Sequence, residues 1–170
     1  NANNVLTDFI ETGVYDKNRP FYNTTSPSMD ILISSNLERL LYLLSGSDEQ
    51  VRGYMRDLAE TGRYTVDEAL RRAVQSVFAA GDDAQTAETI RQVYRQSGYL
   101  MDTHTAVAYH VLEEYREKTG DRRPAVVAST ASPFKFCSSV LGALGQTELA
   151  EGTAILDQLT ACTGKPAPAP

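Results

Sequence analysis

A chain of 170 residues can build one sizeable hydrophobic core but is short for two full domains. Its 42% hydrophobic and 22% charged residues are typical of a soluble globular protein. The net charge of −6 argues against nucleic acid as a partner, because nucleic-acid binders cluster Lys and Arg to neutralise phosphates.

Signals for membranes, secretion and metal binding are not found in the sequence. No apolar run approaches the roughly 18 residues of a membrane span, and the first residues lack the basic-then-apolar profile of a secretory signal. We therefore expect no membrane partner and a cytoplasmic protein. Cys137 and Cys162 match no zinc spacing and are expected to be small buried hydrophobes in a reducing compartment. Neither histidine has a partner at ligand spacing, so no metal site is predicted.

The sequence before Gly120 is a succession of amphipathic helical patterns, most of which begin at a polar cap and end at a glycine. A long irregular segment, 14–27, and a brief extended piece, 29–33, separate the first pattern from the second. Capping boxes are predicted where Ser47 and Thr65 precede Gln50 and Glu68 by three residues. The predicted helices are 3–13, 37–44, 47–62, 65–81, 86–97 and 102–120, the last of them capped by Asp102 or Thr103.

A different pattern follows at residues 124–128, which form a short apolar run with adjacent valines, Val126 and Val127. Such a run predicts a strand buried on both faces. Ser132 followed by Pro133 then predicts a helix start, because the serine can cap free amides and the proline suits the first helical position. Two further helical patterns, near 136–144 and 155–159, bring the expected content to about seven or eight helices and one clear buried strand.

The predicted strand raises a question of hydrogen bonding. Its backbone N–H and C=O groups need neighbouring strands, and the rest of the sequence offers no convincing one. We expect it to pair with residues 29–33, with residues 14–25, with a second copy of the chain, or with a part of a larger sheet outside this chain. Self-association is therefore a possible property of the chain alone.

Three hydroxyl residues, Ser129, Thr130 and Ser132, follow the predicted strand directly. In open α/β sheets, ligands bind in the crevice at the carboxyl ends of the strands, so these side chains are candidates for a binding site. The alternative is a capped turn whose hydroxyls satisfy only the local backbone.

Residues 129–136 read Ser-Thr-Ala-Ser-Pro-Phe-Lys-Phe, and this segment resembles threonine synthase, a pyridoxal-phosphate enzyme of the tryptophan-synthase-β fold. Three other segments resemble the same family in the same order along the chain. They are 3–9 (Asn-Asn-Val-Leu-Thr-Asp-Phe), 26–41 (beginning Ser-Pro-Ser-Met-Asp-Ile) and 102–108 (Asp-Thr-His-Thr-Ala-Val-Ala).

The resemblance implies an α/β parent of fold type II, of which this helix-dominated chain would be the C-terminal portion. Residues 1–164 would belong to that portion, and the extended Pro-rich tail 165–170 would stop before the family's end. The implied parent is a carbon–oxygen lyase acting on phosphates, which converts O-phospho-L-homoserine and water to L-threonine and phosphate in threonine biosynthesis. Its cofactor is pyridoxal 5'-phosphate.

The family's cofactor-bearing lysine and glycine-rich phosphate loop lie upstream of the segments found here. The resemblance therefore implies a missing N-terminal part of the same enzyme as partner, and a fragment that alone is inactive and binds no cofactor. Lys135 is the one lysine near the hydroxyl turn, but it does not match the family's lysine context, so the Schiff-base residue is absent from this sequence.

By resemblance, Thr130 corresponds to the hydroxyl residue that hydrogen-bonds the pyridine nitrogen of the cofactor, and Ser129 is a weaker candidate for that role. Many family members carry histidine where this chain has Ser132, so no role is carried over to it. His104 is open to a catalytic interpretation or to a structural one in which it satisfies the helix start.

Two other functions fit the sequence. One is a non-catalytic helical interaction module, and the other is a related pyridoxal-phosphate lyase or dehydratase that acts on another amino acid. A lysine-bearing domain in the sequence upstream would exclude the interaction module. An assay of the complete protein with phosphohomoserine would distinguish the synthase from the related lyase or dehydratase.

Overall fold

The computed structural model describes residues 1–75 and 83–168 and divides the chain into two compact units, 1–80 and 81–170. Each unit has its own hydrophobic core. The expectation of a single core from the chain length is therefore wrong. Short helices that cross at close range allow a segment of about 80 residues to bury a small core of its own.

The first unit contains six elements, each of which contributes buried residues to one core. In chain order they are α1 (Val5–Thr12), β1 (Val14–Asp16), α2 (Leu37–Ser45), α3 (Asp48–Thr61), β2 (Arg63–Thr65) and α4 (Glu68–Gln75). A single 3-10 turn, Pro27–Met29, lies in the irregular segment between β1 and α2.

The two short strands pair antiparallel with Tyr15 opposite Tyr64. Their rings stack 5.2 Å apart, and Phe9 packs against both. Neither strand was predicted, because three residues are too few to establish a period of two. The Thr65 capping box was also wrong, since Thr65 lies in β2 and Asp67 accepts the hydrogen bond from the Leu70 amide instead.

The second unit is built from four α-helices within its described residues. They are α5 (Asp83–Ser97), α6 (Thr103–Thr119), α7 (Cys137–Ala143) and α8 (Ala154–Thr163), with a 3-10 helix, Pro133–Phe136, leading into α7. Ile90, Val140, Leu141 and Leu159 form the centre of its core. The helix-dominated architecture predicted from sequence is thus confirmed, and none of the helices in the described ranges is long and apolar enough to span a membrane.

Several predicted helix ends are confirmed. Ser47 caps α3 through the Gln50 amide at 3.2 Å, although the Gln50 side chain bonds Tyr54 instead of completing the capping box. Gly62 ends α3 in the left-handed conformation, where a Cβ would lie 2.8 Å from Asn18 Cγ. The predicted continuation of α4 to Gly81 lies outside the described residues, as does the end of the Pro-rich tail.

The buried strand predicted at residues 124–128 does not form within this chain. These residues are in no strand, and no hydrogen bond joins the backbone of 124–130 to the described residues. Val126 is fully exposed. Val-Val patterning indicates a preference for extended, buried backbone, but the partner strand that would realise it is not among the described residues.

Candidate functional site

The hydroxyl turn lies between the extended segment and α7. Ser132 Oγ accepts a hydrogen bond from the Phe134 amide at 3.2 Å, and Pro133 occupies the first helical position, as the sequence predicted. The first helical turn is 3-10 rather than α, with Lys135 N bonded to Ser132 O at 3.0 Å. Ser132 is therefore committed to capping.

The start of α6 forms the wall that faces this turn. Asp102 caps α6, and its carboxylate accepts hydrogen bonds from the amides of His104 at 2.9 Å and Thr105 at 3.4 Å. The Asp102 side chain is fully buried, and its second oxygen accepts the Thr105 hydroxyl. The sequence predicted a cap at Asp102 or Thr103, and the cap is at Asp102.

The turn and the helix start meet through side-chain oxygens. Thr105 Oγ1 lies 3.1 Å from Ser129 Oγ, and the Tyr99 hydroxyl donates to Ser129 Oγ at 3.4 Å. A threonine hydroxyl has one proton, and Asp102 takes it, so Ser129 must donate its own proton to Thr105. The result is a directed chain of hydroxyls from Tyr99 through Ser129 and Thr105 to the carboxylate of Asp102.

A second contact joins the same two segments. The His104 ring lies 4.7 Å from the ring of Phe136, tilted by 56°. His104 Nδ1 lies 3.2 Å from Asp102 Oδ1 and 3.4 Å from Thr103 Oγ1. These contacts fit the structural interpretation of His104, whose side chain is 15% exposed.

Thr130 is placed differently from its neighbours. Its side chain is exposed, and it makes no hydrogen bond to any residue in the described ranges. Of the three hydroxyls in the turn, only that of Thr130 is therefore free both to donate and to accept. A single uncommitted hydroxyl held between two fixed neighbours can donate one hydrogen bond to an aromatic nitrogen.

Lys135 is exposed and lies on the 3-10 helix beyond the turn. Cys137 is buried, and its thiol contacts the Phe134 carbonyl at 3.1 Å. Burial raises the pKa of the Cys137 thiol, which keeps it neutral and unreactive. Cys162 is exposed, contrary to the expectation that both cysteines are buried. No cluster of potential metal ligands occurs among the described residues.

Sequence reasoning missed Tyr99 and the link from Thr105 to Ser129. Tyr99 follows Gly98 at the end of α5 and belongs to no periodic pattern, so no local signal identifies it. Thr105 stands three residues after the cap Asp102, which is the position from which a side chain can reach back to the cap. That spacing could have indicated the first link of the hydroxyl chain.

Comparison with known proteins relates this chain to one family. A family model described as "Threonine synthase, C-terminal" matches residues 105–166. Human "Threonine synthase-like 1" is 39% identical over 155 residues, which cover 89% of this chain and 20% of the human protein. Threonine synthase of Saccharomyces cerevisiae is 35% identical, over 85% of this chain and 31% of the yeast protein.

Solved structures agree with the sequence matches. PLP-bound threonine synthase from Brucella melitensis superposes with a TM-score of 0.75 at 40% identity, covering 94% of this chain and 34% of that one. Yeast threonine synthase gives a TM-score of 0.77 at 29% identity, covering 94% of this chain and 36% of that one. The chain thus spans between a fifth and about a third of the proteins that it matches. The resemblance noted in the sequence is confirmed: the chain is similar to the C-terminal portion of threonine synthases.

Proposed function

We propose that the protein containing this chain is a pyridoxal-phosphate-dependent threonine synthase, which converts O-phospho-L-homoserine and water to L-threonine and phosphate. The observation that carries the proposal is the similarity, over 94% of the chain, to a PLP-bound threonine synthase at 40% identity. This chain would supply one wall of the cofactor pocket, and the part of the enzyme outside this chain would supply the cofactor-bearing lysine and the phosphate loop.

Thr130 fits the cofactor's ring nitrogen. When bound, pyridoxal phosphate supplies an electron sink that stabilises carbanions next to the amino group. Thr130 would donate its hydroxyl proton to an unprotonated pyridine nitrogen, whereas a carboxylate at that place would hold the ring protonated. The exposed, uncommitted hydroxyl of Thr130 supports this assignment.

Ser129 is the weaker candidate on the same grounds. Its proton is used toward Thr105, and its lone pairs accept from Tyr99. A bond from Ser129 to a cofactor would require that chain to break, which costs about 1 kcal/mol or more. Thr130 carries no such cost.

The test of this assignment is Thr130→Val in the complete protein. Loss of the hydrogen bond leaves the ring nitrogen unpaired, and cofactor affinity should fall by about 1 to 3 kcal/mol while the fold is kept. Thr130→Ser retains the hydroxyl and should bind almost normally. Thr147→Val is the matched control, because Thr147 is also exposed, in coil and in the same unit. Equal cofactor dissociation constants for Thr130→Val and the wild type would show that Thr130 does not hydrogen-bond the cofactor.

We further propose that the 170-residue chain alone neither forms a lysine adduct with the cofactor nor turns over phosphohomoserine. Its lysines are Lys17, Lys118, Lys135 and Lys165, and Lys135, the one in the hydroxyl-turn region, is exposed rather than desolvated. Borohydride reduction after mixing with pyridoxal phosphate, followed by mass spectrometry, checks this. A stoichiometric adduct at Lys135 would contradict it.

A related lyase or dehydratase is the second candidate. It is favoured by one observation: the human relative, at 39% identity, is called threonine synthase-like. Assay of the complete protein with phosphohomoserine, in parallel with serine and threonine, separates the two. Release of phosphate with formation of threonine supports the synthase.

The extended segment 124–128 supports a partner for this chain. Its backbone makes no hydrogen bond within the described residues, and its Val126 side chain is fully exposed. Unpaired backbone in an apolar segment is costly once it is buried, so it requires a neighbouring strand. We assign that neighbour to the missing N-terminal part of the enzyme, with a second copy of this chain as its substitute when that part is absent.

A further inference from the structure

We propose that Asp102 and Thr105 are positioning residues for Thr130: the buried carboxylate of Asp102 orients Thr105 and His104, and these two hold the chain on either side of Thr130. The inference rests on the proposed function, in which Thr130 hydrogen-bonds the ring nitrogen of the cofactor.

The first tether lies before Thr130. Asp102 accepts the Thr105 hydroxyl, which leaves the lone pairs of Thr105 Oγ1 directed to Ser129 at 3.1 Å. Thr105 is almost fully buried, so its own side of this bond is shielded from water. Because Ser129 donates to Thr105, this bond restrains the Ser129 rotamer and with it the backbone that enters Thr130.

The second tether lies after Thr130. Asp102 Oδ1 accepts from the His104 amide and lies 3.2 Å from His104 Nδ1, which sets the plane of the ring. The ring packs against Phe136, and Phe136 in turn packs against the core of the second unit. Between these two tethers, Ser132 is held by its own cap bond.

Thr130 is therefore a free hydroxyl on a turn that is fixed at both ends. Hydrogen-bond donors toward a ligand are most effective when the supporting groups hold them in place before binding, because little ordering is then lost on binding. Asp102 is a charged acceptor for the Thr105 hydroxyl and the His104 amide, and hydrogen bonds to a charged acceptor are stronger than neutral ones.

The experiment measures the order of the turn and cofactor affinity separately, in the complete protein. Thr105→Val removes the hydroxyl with little change of shape. It should lower the backbone amide order parameter of Thr130 from about 0.85 to below about 0.6, and should raise the cofactor dissociation constant about ten-fold. Thr105→Ser should restore both values.

The matched control is Thr89→Val. Thr89 is a buried helical threonine of the same unit, and among the described residues its hydroxyl bonds only the Gln85 carbonyl of its own helix. This variant should lose similar stability and change neither the Thr130 order parameter nor cofactor affinity. Equal effects of Thr105→Val and Thr89→Val on Thr130 would overturn the proposal.

Ser129→Ala removes a second hydroxyl from the same hydrogen-bonded chain of hydroxyls. Ser129 is exposed, so this variant should keep the fold. Ser129→Ala and Thr105→Val should have the same effect, and the double variant should be no worse than either one. Additive effects would show that Ser129 and Thr105 do not act on Thr130 through one chain of hydrogen bonds, which would overturn the proposal. The Thr130 order parameter tests the positioning, whereas the affinity of Thr130→Val tests the proposed function, so each can fail while the other stands.

Discussion

Two long connections in this chain contain no α-helix or strand, yet they differ in how their polar groups are paired. In the first unit, the connection from β1 to α2 is polar and is tied down by side chains of the unit itself. In the second unit, the extended segment 124–130 has no backbone hydrogen bond within the described residues. The comparison teaches that a polar irregular segment can satisfy itself locally, whereas an apolar extended one depends on a sheet.

Asp30 is the centre of the first arrangement. Its carboxylate accepts hydrogen bonds from Asn1 Nδ2 at 2.8 Å, Asn3 Nδ2 at 2.9 Å, Thr24 Oγ1 at 2.7 Å and the Thr24 amide at 2.9 Å. Asn3 also bonds both backbone groups of Tyr22. Two of the segments that resemble threonine synthase, 3–9 and 26–41, are thereby joined through one carboxylate.

The largest effect is expected from Asp30→Ala. It removes four hydrogen bonds to a charged acceptor and leaves the part-buried Thr24 amide without its acceptor, so unfolding of the first unit should become about 3 kcal/mol easier. Urea denaturation followed by amide NMR signals of the first unit measures this. Asp57→Ala on the exposed face of α3 is the matched control and should change stability by less than about 0.5 kcal/mol. A loss below 1 kcal/mol for Asp30→Ala would mean that the connection does not depend on this carboxylate.

The same carboxylate predicts a dependence on pH. Burial raises the pKa of Asp30, but the hydrogen bonds from Thr24, Asn3 and Asn1 outweigh it, so the net pKa lies below its usual value. A lowered pKa in the folded state contributes stability that is present above the unfolded value, near pH 4, and is lost as the pH falls further. The difference in stability between wild type and Asp30→Ala should therefore shrink between pH 5 and about pH 2.

The sequence predicted this unit in part. Amphipathic period and glycine stops located the helices, and the Asn-rich start and the Ser-Pro segment were recognised as family segments. Their contact was not predicted, because Asn3 and Asp30 are far apart in the chain and their pairing follows only from the fold. The pairing of Tyr15 with Tyr64 was missed for the same reason.

In the second unit, a polar cap at residue 102 or 103 and the Ser132–Pro133 helix start were predicted because each is a local signal. The bond from Thr105 to Ser129 was not, since it joins residues 24 positions apart. The strand at 124–128, in contrast, was predicted but does not form within the described residues. Its composition indicates a buried environment, but the surface that would bury it does not belong to the described residues.

A smaller effect is expected from two tyrosines that stack on each other. Tyr15 Oη donates to the Leu32 carbonyl at 3.1 Å and accepts from the Ser34 amide at 2.9 Å, so it fastens the polar connection to β1. Tyr64 Oη is buried without a hydrogen-bond partner in the described ranges. Tyr15→Phe should cost about 1 to 2 kcal/mol, whereas Tyr64→Phe should be neutral or slightly stabilising.

Because the two rings are neighbours of equal size, Tyr64→Phe is the matched control for Tyr15→Phe. Urea midpoints at neutral pH give both values. Equal losses would show that the connection is held by its packing and that the Tyr15 hydroxyl contributes nothing. Burial raises the pKa of both hydroxyls, so the folded state of this unit should weaken only as the pH rises above about 10.

The smallest effect on folding is expected at Val126. A substitution there tests whether the extended segment 124–130 depends on a partner strand. A fully exposed side chain with no contacts to lose should tolerate Val126→Lys within about 0.5 kcal/mol in the 170-residue chain. Association should change instead. We expect the wild-type chain to self-associate at high concentration, because its unpaired edge is a template for another strand, and we expect a lysine at that edge to suppress the association.

Sedimentation velocity over a range of concentrations measures this, with Leu43→Lys as the control. Leu43 is an apolar side chain on α2 that is 77% exposed, but it lies in a helix whose backbone is already paired. If apolar surface alone drove association, both lysines would reduce it. If the unpaired strand drives it, only Val126→Lys will. A wild-type chain that stays monomeric would show that residues 124–130 are stable in water without a partner, and the contrast between the two connections would then be one of sequence rather than of missing hydrogen bonds.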